Sequence, residues 1–105
     1  MVIKETSVFT RQLLNLLDAE SYRLLQLRLA GDPGAGSLIP GTSGLRKIRW
    51  QAAGRGKRGG VRVIYYWAQD PEVILMLLMS GKNERGDLSA DQKKMLAALV
   101  REEFK

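Results

Sequence analysis

The sequence predicts one α+β domain over residues 1–105, with a mostly antiparallel four-stranded sheet, an N-terminal helical hairpin and a C-terminal helix. Apolar residues recur at helical spacing towards both ends of the chain. The middle holds runs rich in β-branched and aromatic residues, joined by short or glycine-rich connections that favour antiparallel pairing. A chain of 105 residues can bury a core without disulfides, and this one has no cysteine.

The first third predicts one strand and two helices. Val2 to Glu5 alternates and is predicted to be an edge strand. Apolar residues then fall on one helix face from about Val8, and a second stripe follows Asp18, a residue type that caps helix N-termini. The two stripes contain Phe9, Leu13, Leu16, Leu17, Tyr22, Leu25 and Leu29. We expect these side chains to form core against the sheet.

The middle of the chain predicts a loop and three strands. Gly31 to Gly44 is rich in Gly and Pro and is predicted to be a loop, held to the body by Leu38 and Ile39. The three predicted strands are Leu45–Gln51, Gly60–Ala68 and Glu72–Ser80. The first alternates, which predicts one face with Arg46, Ile48 and Trp50 and an opposite face with Leu45, Lys47 and Arg49. The second is apolar on both faces, which favours a central position in the sheet. Arg62 is the exception within it, because a cation there must reach solvent or be paired.

The C-terminal part predicts a charged loop and a helix. Gly81 to Leu88 forms the loop, and Ser89 and Gln92 have the spacing of a capping box. The helix places Leu96, Leu99, Val100 and Phe104 on one stripe, which we expect to pack on the sheet.

Positive charge is concentrated in the middle of the chain. No Asp or Glu occurs between Asp32 and Asp70, whereas the whole chain has a net charge of +6. The cations of this window are Arg46, Lys47, Arg49, Arg55, Lys57, Arg58 and Arg62. A field of one sign attracts a polyanion, and nucleic acid is the commonest one.

Composition excludes several classes of site. Without His and Cys there is no zinc ribbon, thiol nucleophile or Ser-His-Asp triad, and the sequence predicts no metal and no cofactor. Gly54 to Gly59 matches GxGxxG but leads into a strand, so it is not a dinucleotide fingerprint.

The N-terminus lacks an apolar signal region, and Val73–Met79 is far shorter than the roughly 20 residues of a membrane span. A cytoplasmic location without membrane contact is expected.

Several cations are predicted to converge on one concave face. Arg62 on the middle strand and Lys82 just beyond the last strand would meet there, below Lys57 and Arg58. Such a cluster would hold a scissile phosphate and stabilise the charge that builds on it. A lysine among like charges also has a lowered pKa and can carry a proton. Other candidate proton carriers are Glu84, Asp87 and Tyr66.

The aromatic residues Trp50, Tyr65, Tyr66 and Trp67 could stack on bases, but most are expected in the core.

The chain resembles the RelE/ParE superfamily of toxins from bacterial toxin–antitoxin pairs, and its HigB-like members most closely. The runs that carry the resemblance are PGTSGLRKIRW, GRGKRGGVRVIYYW and KNERGDLS. The first spans Pro40 to Trp50, the second Gly54 to Trp67 and the third Lys82 to Ser89. The order of elements along the whole chain is also similar.

The resemblance implies a RelE-like toxin that enters the ribosomal A site and cuts mRNA without metal, by attack of a 2′-hydroxyl on the adjacent phosphate. The catalytic residues it implies are Arg62, Lys82 and Lys57. The best-known RelE-branch enzymes have an arginine where this chain has Asn83 and a catalytic tyrosine where it has Ser89. Asn83 and Glu84 therefore join Lys82 as candidates for proton transfer. The residues expected to bind RNA or the ribosome are Arg46, Lys47, Arg49, Arg55, Arg58 and Arg85.

The resemblance also implies a cognate helix-turn-helix antitoxin, through which DNA would be contacted only indirectly. Two other functions stay open. One is a ParE-like toxin that acts on DNA gyrase, although those relatives lack the basic cluster. The other is a non-catalytic module that binds RNA or the ribosome with the same cations.

Overall fold

The structure, a computed structural model, describes residues 1–51, 60–69, 71–81 and 88–104. These residues form five strands and three helices. In chain order they are β1 (Val2–Glu5), α1 (Ser7–Leu16), α2 (Ala19–Gly31), β2 (Ser37–Leu38), β3 (Leu45–Trp50), β4 (Val61–Gln69), β5 (Glu72–Gly81) and α3 (Ala90–Glu103). The predicted α+β class and the three middle strands are therefore present. None of the described helices has the length and hydropathy required to cross a bilayer.

The five strands form one mixed sheet in the order β1-β5-β4-β3-β2, with β4 at its centre as predicted. Three of the pairings are antiparallel, but β1 runs parallel to β5. The prediction of four strands was wrong, because β2 adds a fifth strand by pairing Ser37 and Leu38 with β3. Leu38 does not hold the loop to the body through its side chain, which is 59% exposed. Ile39 does so, because its side chain packs against the core beneath α3, and the backbone pairing of β2 with β3 holds the loop as well.

The two predicted N-terminal helices, α1 and α2, are present, but two extended residues, Leu17 and Asp18, separate them. Thr6 and Asp18 cap them, each accepting a hydrogen bond from a backbone N–H of the first turn. Leu17 between them is extended, and α1 packs on β5. The rings of Phe9 and Tyr22 bring the helices together, with their centroids 5.9 Å apart. The helices therefore share a core with the sheet.

Helices cover both faces of the sheet. On one face, α1 and α2 bury Phe9, Tyr22, Leu25 and Leu29 against Val61, Val63, Tyr65, Ile74, Met76 and Met79. On the other, α3 buries Leu96 against Leu45, Ile64, Leu75 and Leu77. The predicted capping box is formed by Ser89 and Gln92. Each fully buried side chain of this size contributes on the order of 1.5–3 kcal/mol to folding.

A bulge in β5 sets which of its residues lie opposite β4. Ile64 pairs with Leu78 and Tyr65 with Met76, so Leu77 has no partner across the strand. The carbonyl oxygen of Leu77 instead accepts a hydrogen bond from the hydroxyl of Thr6 at 2.9 Å. Beyond the bulge the pairing is regular and places Ser80 opposite Arg62.

Candidate nucleic-acid interface

Three of the predicted cations lie on the face of the sheet that α3 covers. Lys47 and Arg49 alternate with Ile48 along β3, and Arg49 pairs directly with Arg62 on β4. Lys47 pairs with Ile64, a residue of the core beneath α3. Arg49 is exposed, whereas Lys47 and Arg62 are half-buried. The register of the two strands thus places Lys47 and Arg62, which are 15 residues apart in sequence, on the same face.

The direct pairing of Arg49 with Arg62 places two guanidinium groups next to each other on this face. Side chains opposite each other on antiparallel strands have Cβ atoms about 4.5–5.5 Å apart, and like charges in that position destabilise the pair. Guanidinium groups also match phosphate oxygens with two parallel hydrogen bonds.

Two hollows open beside these cations. We call the first the arginine hollow; it has a volume of about 360 Å³ and is lined by Arg49, Trp50, Gln51, Gly60, Val61 and Arg62. We call the second the lysine hollow; it has a volume of about 560 Å³ and is lined by Ser37, Leu38, Ile39, Pro40, Lys47, Ile64, Leu88 and Lys93. No acidic side chain is among these described lining residues. The charged side chains in the described lining are Arg49, Arg62, Lys47 and Lys93, all cations, which attract an anionic ligand.

Arg46 lies on the opposite face of the sheet, as expected from the alternation of β3. Its Nη1 donates hydrogen bonds to the carbonyl oxygens of Gly34 at 3.2 Å and Gly36 at 2.8 Å. Its guanidinium carbon lies 5.9 Å from the centroid of the Trp67 ring. These contacts fix the loop before β2, so the binding role predicted for Arg46 is not favoured by its position.

The aromatic residues of β3 and β4 are engaged in packing. Trp50 donates a hydrogen bond from Nε1 to the carbonyl oxygen of Ser21 at 2.9 Å, and Trp67 donates one to Glu72 at 3.3 Å. Tyr65 is fully buried. The ring of Tyr66 lies against Phe104, with the centroids 5.7 Å apart. These contacts agree with the expectation that most of the four serve the core.

Burial changes the acidity of two tyrosines. It raises the pKa of Tyr22 well above its ordinary value, helped by a 2.6 Å hydrogen bond that the hydroxyl donates to Glu5. Burial also raises the pKa of Tyr65. The Tyr65 hydroxyl donates to the carbonyl oxygen of Pro33 at 2.7 Å and accepts from the backbone N–H of Gly36 at 2.9 Å. Both hydroxyls therefore stay in the protonated form, in which they donate these structural hydrogen bonds.

Several predicted site residues lie outside the described residues. They are Arg55, Lys57 and Arg58 in the 52–59 segment, and Lys82, Asn83, Glu84, Arg85 and Asp87 in the 82–87 segment. Their convergence with Arg62 stays a prediction. Among the residues that the structure describes, no group of three acidic side chains is suited to holding a metal ion.

Sequence reasoning missed Lys93 and the residues of the 37–40 segment that face the lysine hollow. The Nζ of Lys93 donates a hydrogen bond to the carbonyl oxygen of Pro40 at 3.3 Å, which links α3 to the loop beside β2. Lys93 is near the start of an amphipathic helix, and from sequence a cation at such a position is interpreted as part of the solvent-exposed face. Only the tertiary structure shows that it lines the same hollow as Lys47.

Comparison with solved structures identifies the fold. A double arginine-to-alanine mutant of the E. coli toxin RelE in the free state is similar to this chain with a TM-score of 0.61 and 12% identity, over 94% of this chain and 95% of that one. The archaeal RelE–RelB complex from Pyrococcus horikoshii OT3 is similar with a TM-score of 0.52 and 23% identity, over 80% of this chain and 97% of that one. No protein-family model matches the sequence. The chain therefore has a RelE-like fold.

Proposed function

We propose that this protein is the toxin of a toxin–antitoxin pair and acts as a ribosome-dependent mRNA endoribonuclease. The single observation that carries the proposal is the direct pairing of Arg49 and Arg62, with Lys47 on the same face of a RelE-like sheet. An enzyme that cuts a polyanion needs cations concentrated where charge develops. A closer relation to HigB-like toxins stays a prediction from sequence.

The proposed reaction is an attack by a ribose 2′-hydroxyl on the adjacent phosphorus. A bond forms between the 2′-oxygen and phosphorus, and the bond from phosphorus to the 5′-oxygen of the next nucleotide breaks. The products are a 2′,3′-cyclic phosphate and a 5′-hydroxyl. Arg62 and Arg49 would hold the non-bridging oxygens and stabilise the charge that builds on them. Because these guanidinium groups supply the positive charge, the proposed chemistry requires no metal ion.

Two proton transfers complete the reaction. A base must take the proton of the 2′-hydroxyl, and an acid must protonate the departing 5′-oxygen. We assign these tasks to Lys57, Lys82 and Glu84 of the set predicted from sequence. Asn83, the remaining member of that set, has a neutral amide that does not titrate near neutral pH, so it would orient a reacting group by hydrogen bonding. A lysine close to other cations has a lowered pKa, because a second positive charge disfavours its protonated form. Lys47, Arg55, Arg58 and Arg85 would bind the flanking RNA or the ribosome.

An antitoxin partner belongs to the same proposal. One of the similar structures is a complex of RelE with RelB, and the proposal extends such a partnership to this chain. The predicted partner is a helix-turn-helix protein that would contact DNA itself. Acting on translating ribosomes places the protein in the cytoplasm. Co-purification with the product of an adjacent reading frame would test the partnership.

The function is tested by measuring mRNA cleavage in a translation extract. Arg62→Ala should lower the rate of cleavage by about 100- to 1,000-fold and relieve growth arrest. Arg11→Ala is the matched control, because Arg11 is an exposed arginine on α1 and its loss removes the same charge. Thermal unfolding of both variants should show that they remain folded. Full cleavage by Arg62→Ala would mean that Arg62 has a structural role.

The same extract separates the two alternative functions. A non-catalytic module would bind RNA or ribosomes, with an affinity that falls linearly with the logarithm of salt, and would leave mRNA intact. A gyrase poison would produce trapped DNA breaks and also leave mRNA intact. Either result would refute the nuclease proposal.

A further inference from the structure

We propose that the lysine hollow binds a single nucleotide of the RNA, next to the phosphate held by Arg49 and Arg62. The inference rests on the proposed function and adds to it a second subsite with its own residues. The hollow measures about 560 Å³, which lies within the range of about 300–1,000 Å³ for small-molecule pockets. It is large enough for a base together with its sugar.

The floor of the hollow is apolar and well supported. Ile64 is 6% exposed and belongs to the core beneath α3, and Ile39 and Leu88 pack against the same core. A floor of packed side chains keeps its shape without a ligand. Apolar contact with the face of a base is sequence-tolerant, because every base has such a face.

The rim of the hollow supplies positive charge from two elements. Lys47 comes from β3 and Lys93 from α3. The ammonium group of Lys93 is positioned by its 3.3 Å hydrogen bond to the carbonyl oxygen of Pro40. A lysine ammonium has three donors, so this bond leaves two for a phosphate. An apolar floor between two lysines fits a ligand with a flat apolar part and an anionic part, which describes a nucleotide.

The register of β3 places this hollow one step from the arginine pair. Lys47 and Arg49 are two residues apart on the same face, a distance of about 6.7 Å along a strand. One extended RNA strand would therefore pass from the arginine hollow to the lysine hollow along β3. An acidic peptide would satisfy the two lysines but would leave the apolar floor without a flat partner, so RNA is the occupant we favour.

The inference is tested by binding of the full chain to a fluorescent seven-nucleotide RNA whose riboses are 2′-O-methylated, which prevents cleavage. A plot of log affinity against log salt has a negative slope. Lys93→Gln should make this slope less steep by about 0.7, the value for one phosphate contact with a single strand. Lys94→Gln is the matched control, because Lys94 is the next residue of α3, is exposed and does not line the hollow. It should leave the slope nearly unchanged.

Removal of single bases tests the floor of the hollow. An abasic nucleotide at one position of the RNA should weaken binding by the unmodified chain about tenfold, since one stacked base contributes about 1–3 kcal/mol. Ser37→Trp should remove this dependence, because Ser37 is exposed, pairs with Lys47 and would fill the hollow with a ring. The inference would be overturned if the affinity of the unmodified chain were the same for every abasic RNA as for the intact RNA. Equal salt slopes for Lys93→Gln and Lys94→Gln would also overturn it.

Three further outcomes are decisive. Failure of the unmodified chain to bind the RNA in 50 mM salt would overturn the subsite. Competition by poly-glutamate without any abasic effect would assign the hollow to a protein partner and also overturn it. Position-dependent RNA binding in a chain that never cleaves mRNA on ribosomes would instead retain the subsite and refute the proposed nuclease function.

Discussion

Replacing Tyr65 with Phe removes one oxygen atom that joins β4 to the loop before β2. The Tyr65 hydroxyl donates a 2.7 Å hydrogen bond to the carbonyl oxygen of Pro33 and accepts a 2.9 Å hydrogen bond from the N–H of Gly36. Tyr65 is fully buried, and Gly36 is buried as well. A Cβ atom on Gly36 would approach the Tyr65 ring to 2.8 Å, so the loop and the ring are in close contact.

The structure gives the size of the effect. A hydrogen bond within a protein contributes about 1 kcal/mol net, and a buried donor left without a partner costs about 1–3 kcal/mol. Tyr65→Phe removes both bonds and leaves the N–H of Gly36 buried without its acceptor. We expect the free energy of unfolding to fall by about 2–3 kcal/mol. For a domain of this size the midpoint of thermal unfolding should fall by about 10–20 °C.

Urea and thermal unfolding measure this loss directly. Tyr66→Phe is the control, because the Tyr66 ring packs against Phe104 and no hydrogen bond of its hydroxyl is found among the described residues. Its effect should stay within about 0.5 kcal/mol. Equal losses in the two variants would show that the loop is not held by the Tyr65 hydroxyl.

Two further predictions concern stability. The unfolded chain ionises its tyrosines near pH 10, whereas burial raises the folded pKa of Tyr22 and Tyr65, so unfolding releases protons above that pH. Urea unfolding should therefore show constant tyrosine-linked stability below about pH 10 and a loss above it. Tyr22→Phe should make that loss less steep, and an unchanged slope would contradict the assignment. Separately, Ser89→Ala should destabilise the protein by about 1 kcal/mol through loss of the α3 cap. Ser7→Ala should have little effect in the same thermal assay, because Thr6 supplies the cap of α1.

The sequence predicted best where local signals agree with the fold. The apolar run of β5 and the capping box of α3 depend on neighbouring residues, and both are present. The strand β2 gave no signal, since Ser37 and Leu38 pair through their backbones and a two-residue strand has no periodicity. The parallel pairing of β1 with β5 joins segments about 70 residues apart, and no local pattern records it.

The candidate site shows the same division. Alternation along β3 separated Arg46 from Lys47 and Arg49, and the structure places them on opposite faces. The pairing of Arg49 with Arg62 depends on the register of β3 and β4, which the sequence does not specify. The 34–36 segment that engages Arg46 could not be anticipated either, because backbone carbonyl oxygens carry no sequence signal.

A double-mutant cycle on Arg49 and Arg62 tests the central claim most directly, with ribosome-dependent mRNA cleavage as the assay. If both guanidinium groups hold one phosphate, Arg62→Ala alone should lower the cleavage rate by about 100- to 1,000-fold. Adding Arg49→Ala should then cost less than Arg49→Ala costs alone, because residues that act as a unit are not additive. Losses that simply multiply, or full activity of Arg49→Ala, would contradict a shared phosphate site on this face.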